Sequence, residues 1–198
     1  GSRRASPVPG RGARRPAGPL PWAGWLASAV CAGPGTGLDR LPCGGAERAL
    51  KDQSVGVVGP RGWGGVDVRQ DAEARGIEDS VTVTGRVGDA DLAALYAGAS
   101  LVVMPSHAEG FGLPVLEAMA LGVPVVTSDD PAMREVGAGA TQIFPAGDPT
   151  ALSATIARVL SDTTLRAQMI LAGRRRAQDF DWLDSARTLW GLYARLAH

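Results

Sequence analysis

The sequence predicts an α/β fold with a doubly wound, Rossmann-like parallel sheet. From residue 54 onward, short runs rich in β-branched residues alternate with amphipathic stretches of helical length. This alternation is typical of parallel sheets with helices on both faces. In addition, a glycine-rich loop links one apolar run directly to a helix. At 198 residues with 45% apolar content, the chain can bury one sizeable core.

Five strands and seven helices are expected after residue 54. Asp89 and Asp148 are expected as N-caps, because an aspartate side chain accepts hydrogen bonds from the free amides of a first helical turn, and Asp162 is a start signal ahead of an Arg-bearing helix. Trp182, Trp190 and Tyr193 fall at helical spacing and are expected to pack in the core. The predicted strands are residues 55–58, 81–84, 101–104, 125–127 and 141–144, and the predicted helices are residues 68–75, 89–97, 113–120, 131–136, 149–160, 164–178 and 183–196.

Residues 1–53 differ in composition from residues 54–198, which we predict to form the folded domain. The first segment holds 7 of the 14 prolines and both cysteines but no Phe or Ile. We expect it to be irregular, either because it is poorly ordered or because it is read out of frame. The second explanation fits a GC-rich gene, since Arg, Pro, Gly and Ala are abundant here and the whole chain lacks Asn.

Charge and hydropathy exclude several classes of protein. The 20 basic and 20 acidic residues balance, and no basic patch alternates with aromatic residues, so a nucleic-acid partner is not expected. The longest apolar runs are strand-sized, far shorter than the roughly 20 residues that cross a bilayer. The apolar patch at residues 20–30 is broken by Pro21 and Gly24, which argues against a secretion signal. The expected location is cytoplasmic.

Residues 105–119 carry the main functional signal. The glycines at 110 and 112 lead into a helix with Pro114 in its first turn. The amides of a first turn have no intrahelical acceptor, and the helix dipole favours an anion there, so a phosphate is the expected ligand. Glu109 and Glu117 flank this position and suit sugar hydroxyls. Taken alone, the glycines would indicate only a tight turn, Glu109 a helix cap and Glu117 a solvated side chain.

This stretch resembles the signature of the retaining nucleotide-sugar glycosyltransferases with the GT-B fold, the glycosyl transferases group 1 family. Two glutamates eight positions apart surround a Gly-Phe-Gly-Leu-Pro core. The resemblance extends from about residue 55 to the C-terminus. Four further motifs keep the family's order, namely Gly122-Val-Pro-Val-Val126, Glu135-Val-Gly137, Pro145-x-x-Asp148 and Phe180-Asp-Trp182.

The resemblance implies that the chain is the C-terminal, donor-binding half of a GT-B enzyme. It implies that Glu109 lies near the transferred sugar as the catalytic residue, where we favour electrostatic stabilisation of a positively charged transition state. It also implies that Glu117 binds the ribose hydroxyls and that Arg86 lies along the nucleotide or its phosphates. The full set of implied donor-binding residues is Gly110, Phe111, Gly112, Leu113, Glu117 and Arg86.

The implied reaction is transfer of a sugar from a nucleoside diphosphate sugar to an unknown acceptor with retention of configuration. No cofactor and no metal are expected, since backbone amides and basic groups neutralise the charge in this family. The expected partners are the donor and a missing N-terminal acceptor domain. A peripheral membrane contact through that domain is a further expected possibility. The basic pair that grips the diphosphate in the family is missing, and Arg40 is its only trace. Two alternatives remain, a non-catalytic nucleotide-sugar-binding module and a nucleotide-sugar epimerase fragment.

Overall fold

A computed structural model describes residues 25–29, 55–59 and 67–196 and confirms the α/β fold with a single parallel sheet. The six strands are β1 (Trp25–Ala29), β2 (Val55–Val58), β3 (Val81–Gly85), β4 (Ala99–Met104), β5 (Val125–Ser128) and β6 (Gln142–Phe144). They lie in the order β3-β2-β1-β4-β5-β6, with every neighbouring pair parallel. This order is that of the Rossmann sheet, in which the direction of winding reverses between β1 and β4.

All seven predicted helices are present, and each end lies within one residue of its expected position. They are α1 (Val68–Ala74), α2 (Asp89–Gly98), α3 (Leu113–Ala120), α4 (Pro131–Gly137), α5 (Pro149–Ser161), α6 (Thr163–Ala177) and α7 (Trp182–Leu196). The cap predicted at Asp148 and the start signal at Asp162 are confirmed, because both residues are N-caps whose side chains accept hydrogen bonds from the amides of Ala151 and Leu165. The cap predicted at Asp89 is wrong by one residue, since the N-cap is Gly88.

Strand β1 was not among the predicted strands. It pairs with β2 on one side, where Leu26 is opposite Val55, and with β4 on the other, where Ala27 is opposite Val102. Its Ala-Ser-Ala sequence has little strand propensity, which explains why the pattern did not reveal it. The rest of the segment that was expected to be irregular lies outside the described residues, so the domain boundary at residue 54 stays a prediction.

The core consists of two main clusters on opposite faces of the sheet. Consecutive residues of β4 belong to different clusters, as the two-residue period of a strand requires. Val102 and Met104 pack with Val115 and Met119 of α3, whereas Leu101 and Val103 pack with residues of α5. The second cluster comprises Leu101, Val103, Val126, Phe144, Leu152, Ile156, Val159 and Met169. Helices therefore cover both faces, and both clusters hold β4 firmly below the loop that follows it.

Helix α7 packs differently from the other helices. None of its residues is buried, although its apolar residues recur at helical spacing. The prediction that three of its aromatic residues pack in the core is wrong, since Trp182 is 78%, Trp190 76% and Tyr193 59% exposed. The apolar spacing predicts the helix correctly, but it does not say which surface covers the apolar side. No helix in the described part of the chain has the length and apolar character needed to cross a membrane.

Candidate functional site

The glycine loop, residues 105–112, follows β4 and leads into α3. Strand β4 borders the position where the winding of the sheet reverses. Ligands of such sheets bind outside the carboxyl ends of the strands at this reversal, because the connections there diverge and leave a crevice. The sheet thus places the loop where this fold binds its ligands.

Gly112 is the residue that makes the turn from loop to helix possible. It is the N-cap of α3 and has a φ of 93° and a ψ of 41°, a left-handed conformation that favours glycine. A Cβ added at Gly112 would lie 2.5 Å from Cε of Met133, which is fully buried. A Cβ at Gly110, in contrast, would meet no atom within 4 Å. The two glycines therefore have different roles, and only Gly112 is required by the backbone.

The start of α3 has the free backbone donors on which the predicted phosphate site depends. Pro114 lies in the first turn and no side chain caps the helix. The amides of Val115 and Leu116 donate to the carbonyl oxygen of Gly112 at 3.0 and 3.4 Å, whereas those of residues 110–113 have no acceptor among the described residues. Glu109 therefore does not cap this helix, which was the alternative role considered for it. Leu113 is 45% exposed, so this helix end faces outward.

Glu109 is held by a hydrogen bond that the sequence analysis missed. The Ser106 hydroxyl donates to Oε1 of Glu109 at 2.6 Å, and Ser106 itself is only 6% exposed. The Ser128 hydroxyl in turn donates to the carbonyl oxygen of Ser106 at 2.5 Å. Hydrogen bonds to a carboxylate are short and strong, so the half-buried Glu109 has a fixed position. Ser128 is the last residue of β5, which lies beside β4 in parallel. The ends of the two strands therefore lie close together, and this was the signal that could have predicted the contact.

Glu117 is exposed and lines a cavity of about 310 Å³ between α3, the end of α6 and the start of α7. The walls are mainly apolar, with the carboxylates of Glu117 and Asp181 among them. The lining residues are Phe111, Leu113, Leu116, Glu117, Ala120, Ala177, Phe180, Asp181, Trp182 and Ser185. Glu117 is therefore not simply a solvated residue on an open helix face. A polar ligand that entered this cavity would meet a carboxylate beside aromatic rings.

Arg86 lies apart from the two glutamates. It is exposed and directly follows Gly85, the last residue of β3, which has a φ of 69°. Strand β3 is three positions from β4 in the sheet, which corresponds to about 14 Å at a strand spacing of ~4.8 Å. Both loops emerge at the same edge of the sheet, because all strands are parallel. The structure thus places Arg86 on the same edge as the glycine loop, but outside direct contact distance of it.

Carboxylates near the loop do not form a metal site among the described residues. Two pairs have Asp-x-Asp spacing, Asp89 with Asp91 and Asp179 with Asp181. Within the described ranges, however, no group of three or more His, Cys, Asp or Glu side chains is close enough to hold a metal ion.

The residues of this site lie within a match to a known protein family. The model of the family described as glycosyl transferases group 1 matches residues 47–176, which include the whole glycine loop and α3. The chain belongs to this family. The match begins ahead of β2 and ends within α6, so it covers the sheet from β2 onward together with both glutamates.

Individual relatives match over a large part of this chain but a smaller part of their own length. The O-antigen chain mannosyltransferase B of Escherichia coli is 40% identical over 126 residues, which are 64% of this chain and 33% of that protein. The phosphatidyl-myo-inositol mannosyltransferase of Mycobacterium leprae is 31% identical over 81% of this chain and 42% of its own length. The chain thus spans a third to less than half of these relatives.

A solved structure matches the fold. The Anabaena protein HepE, crystallised with UDP and glucose, superimposes with a TM-score of 0.75 at 21% identity. The match covers 87% of this chain and 48% of HepE. At this identity the likeness supports the fold alone, which is a Rossmann-like domain as found in GT-B glycosyltransferases.

Proposed function

We propose that this chain is the donor-binding domain of a glycosyltransferase that takes a sugar from a nucleoside diphosphate sugar. The observation that carries the proposal is the start of α3, where amides without acceptors lie between two carboxylates in the sequence. Family membership supports the same function, and both relatives described above are mannosyltransferases. Those names favour transfer over the epimerase alternative.

In the proposed complex, the diphosphate lies against the amides of residues 110–113. Gly112 and Leu113 stand at the helix start, where the dipole adds a partial positive charge. The same amides stabilise the charge that grows on the diphosphate as it leaves, because they are already oriented before the reaction begins. HepE supports this assignment indirectly, since it carries UDP on the same fold. Arg86, farther along the same edge of the sheet, is proposed to contact the nucleotide at its nucleoside end.

The two glutamates have separate proposed roles. Glu117 accepts hydrogen bonds from the ribose hydroxyls, and its position on the cavity wall supports this role. Glu109 faces the sugar and stabilises the positive charge that develops on its ring. The hydrogen bond from Ser106 supports this second role, because a fixed carboxylate loses no reorganisation energy during the reaction. Retention of configuration and the absence of a metal requirement are part of the proposal through the family resemblance.

Transfer itself is proposed for the protein in which this domain meets an acceptor-binding half. The relatives are two to three times as long as the matched region, which supports a two-domain enzyme. A module that binds the donor without transferring it is the alternative. The two differ in outcome, because only the enzyme consumes the donor when an acceptor is supplied.

Titration calorimetry with UDP-, GDP- and ADP-sugars tests the donor site. One of them should bind the wild-type chain, and Glu117→Gln should weaken that binding about ten- to hundredfold, as expected for one lost charge-assisted hydrogen bond. Glu73→Gln is the matched control, since Glu73 is exposed on α1 and distant along the chain from the loop. Equal donor affinity in wild type and Glu117→Gln would refute the assignment.

Glu109→Gln tests the catalytic role in the assembled enzyme. Glutamine keeps an oxygen that can accept from Ser106 but removes the charge. Donor affinity should stay near that of the wild type, whereas kcat should fall by roughly 10²- to 10³-fold, the usual effect of losing one electrostatic stabiliser. Single-turnover kinetics and calorimetry measure the two quantities separately. An unchanged kcat would exclude Glu109 from the reaction.

A further inference from the structure

Arg176, in the last turn of α6, joins the end of that helix to the end of α4. Its Nε donates to the carbonyl oxygen of Val136 at 3.0 Å and its Nη2 to that of Glu135 at 2.8 Å. Its Nη1 donates to Oδ2 of Asp179 at 3.1 Å. The two carbonyls belong to the last turn of α4, where helix carbonyls have no intrahelical donor. The guanidinium, whose side chain is 25% exposed, is therefore fixed at three points.

The same guanidinium contacts an aromatic pair that ends at the glycine loop. Cζ of Arg176 lies 4.5 Å from the ring centroid of Phe180. The Phe180 ring meets the ring of Phe111 edge to face, with centroids 5.8 Å apart and an angle of 83° between the planes. Both geometries are attractive, the first between a cation and a ring and the second between two rings. A continuous line of contacts thus runs from α4 through Arg176 and Phe180 to Phe111.

Helix α4 reaches the loop by a second route. Met133 packs where a Cβ of Gly112 would be, so it contacts the residue next to Phe111 directly. Helix α4 thus holds two consecutive loop residues. Met133 contacts Gly112, and Arg176 reaches Phe111 through Phe180. Phe111 is 45% exposed, and the Phe180 ring contacts its ring edge to face.

We propose that Arg176 is a positioning residue for the glycine loop, which it orients through Phe180 and Phe111. This role rests on the proposed function, because the contacts of Arg176 would align the amides of residues 110–113 before the diphosphate binds. Alignment in advance lowers the ordering cost of binding and of charge stabilisation. Arg176 itself does not need to touch the donor.

The test uses the full chain with three substitutions at positions 175 and 176. Arg176→Met removes the charge, Arg176→Lys keeps it on a point-like ammonium, and Arg175→Met is the matched control in the same helical turn, where the side chain is exposed. The first readout is the backbone amide resonances of Gly110 and Gly112 by ¹H–¹⁵N NMR. The second is calorimetric affinity for UDP-glucose and GDP-mannose.

Arg176→Met should shift or broaden both glycine resonances and weaken donor binding by about three- to tenfold, the ratio that corresponds to one lost aromatic or cation–π contact. Arg176→Lys should recover part of both, because an ammonium keeps the cation but cannot donate to both carbonyls in a fork. The control should match the wild type in both readouts.

Phe180→Leu separates positioning from simple stabilisation, because it removes the ring contact and leaves the carbonyl bonds of Arg176 in place. It should affect the two glycine resonances as Arg176→Met does. Unchanged glycine resonances in either variant, with only a lower melting temperature, would overturn the inference. If the wild-type chain binds neither nucleotide sugar, the proposed donor function loses its support, whereas the glycine resonances still decide the role of Arg176.

Discussion

Helices α3 and α7 border the same cavity but differ in how much they bury. Helix α3 buries Val115, Ala118 and Met119, and it lies so close to α6 that a Cβ on Gly173 would be 3.1 Å from Cγ of Met119. Helix α7 buries no residue, although it is nearly twice as long. The comparison teaches that an apolar stripe predicts a helix, whereas burial depends on which other elements reach that stripe.

The largest effect is expected in α3. Met119→Ala should lower the free energy of unfolding by about 2–5 kcal/mol, because Met119 is 1% exposed and its loss leaves a cavity between the sheet and α6. Urea unfolding followed by circular dichroism measures the change. Leu121→Ala, one residue after the same helix, should cost below about 1 kcal/mol, since Leu121 is 42% exposed. Similar losses in both variants would contradict the packing described for α3.

The turn into α3 should respond more moderately and only at one of its two glycines. Gly112→Ala places a Cβ in a left-handed conformation against buried Met133, so we expect a loss of about 1–3 kcal/mol. Gly110→Ala is the matched control and should change the free energy of unfolding by less than about 0.5 kcal/mol, since the added methyl meets open space. The same unfolding measurement applies, and a larger loss at Gly110 would reverse the roles assigned to the two residues.

The smallest effect is expected in α7. Trp190→Ala should change the free energy of unfolding of this chain by less than about 0.5 kcal/mol, despite the size of the side chain, because Trp190 is 76% exposed. Urea unfolding of this variant beside Met119→Ala gives the comparison in one experiment. A loss comparable with that of Met119→Ala would mean that the apolar face of α7 is covered within this chain.

Much of the fold could be predicted from local sequence signals. The β-branched runs predicted five strands, and Asp148 and Asp162 marked helix starts that the structure confirms. These signals are local, since a strand or a cap needs only residues near it in the chain. Strand β1 was missed because alanine and serine carry little strand signal and the pairing depends on partners at Val55 and Val102.

The candidate site was predictable in its residues but not in their contacts. The spacing of Glu109, Gly112 and Glu117 around a helix start is visible in the sequence, and the assignment of roles to them stays a prediction. The hydrogen bond from Ser106 and the contacts of Arg176 were not predictable. Arg176 lies 40 residues from Val136 in sequence, so their meeting depends on how α4 and α6 pack, which local patterns do not specify.

Strand β1 has a consequence for any shortened form of the protein. Among the described residues, the pair β2–β3 and the trio β4–β5–β6 are connected within the sheet only through the backbone hydrogen bonds of Trp25–Ala29. A chain begun at residue 54 would split the sheet into two parts, each with an open edge, and unpaired strand edges recruit other chains. Such a truncation should therefore aggregate, even though it keeps the glycine loop and both glutamates.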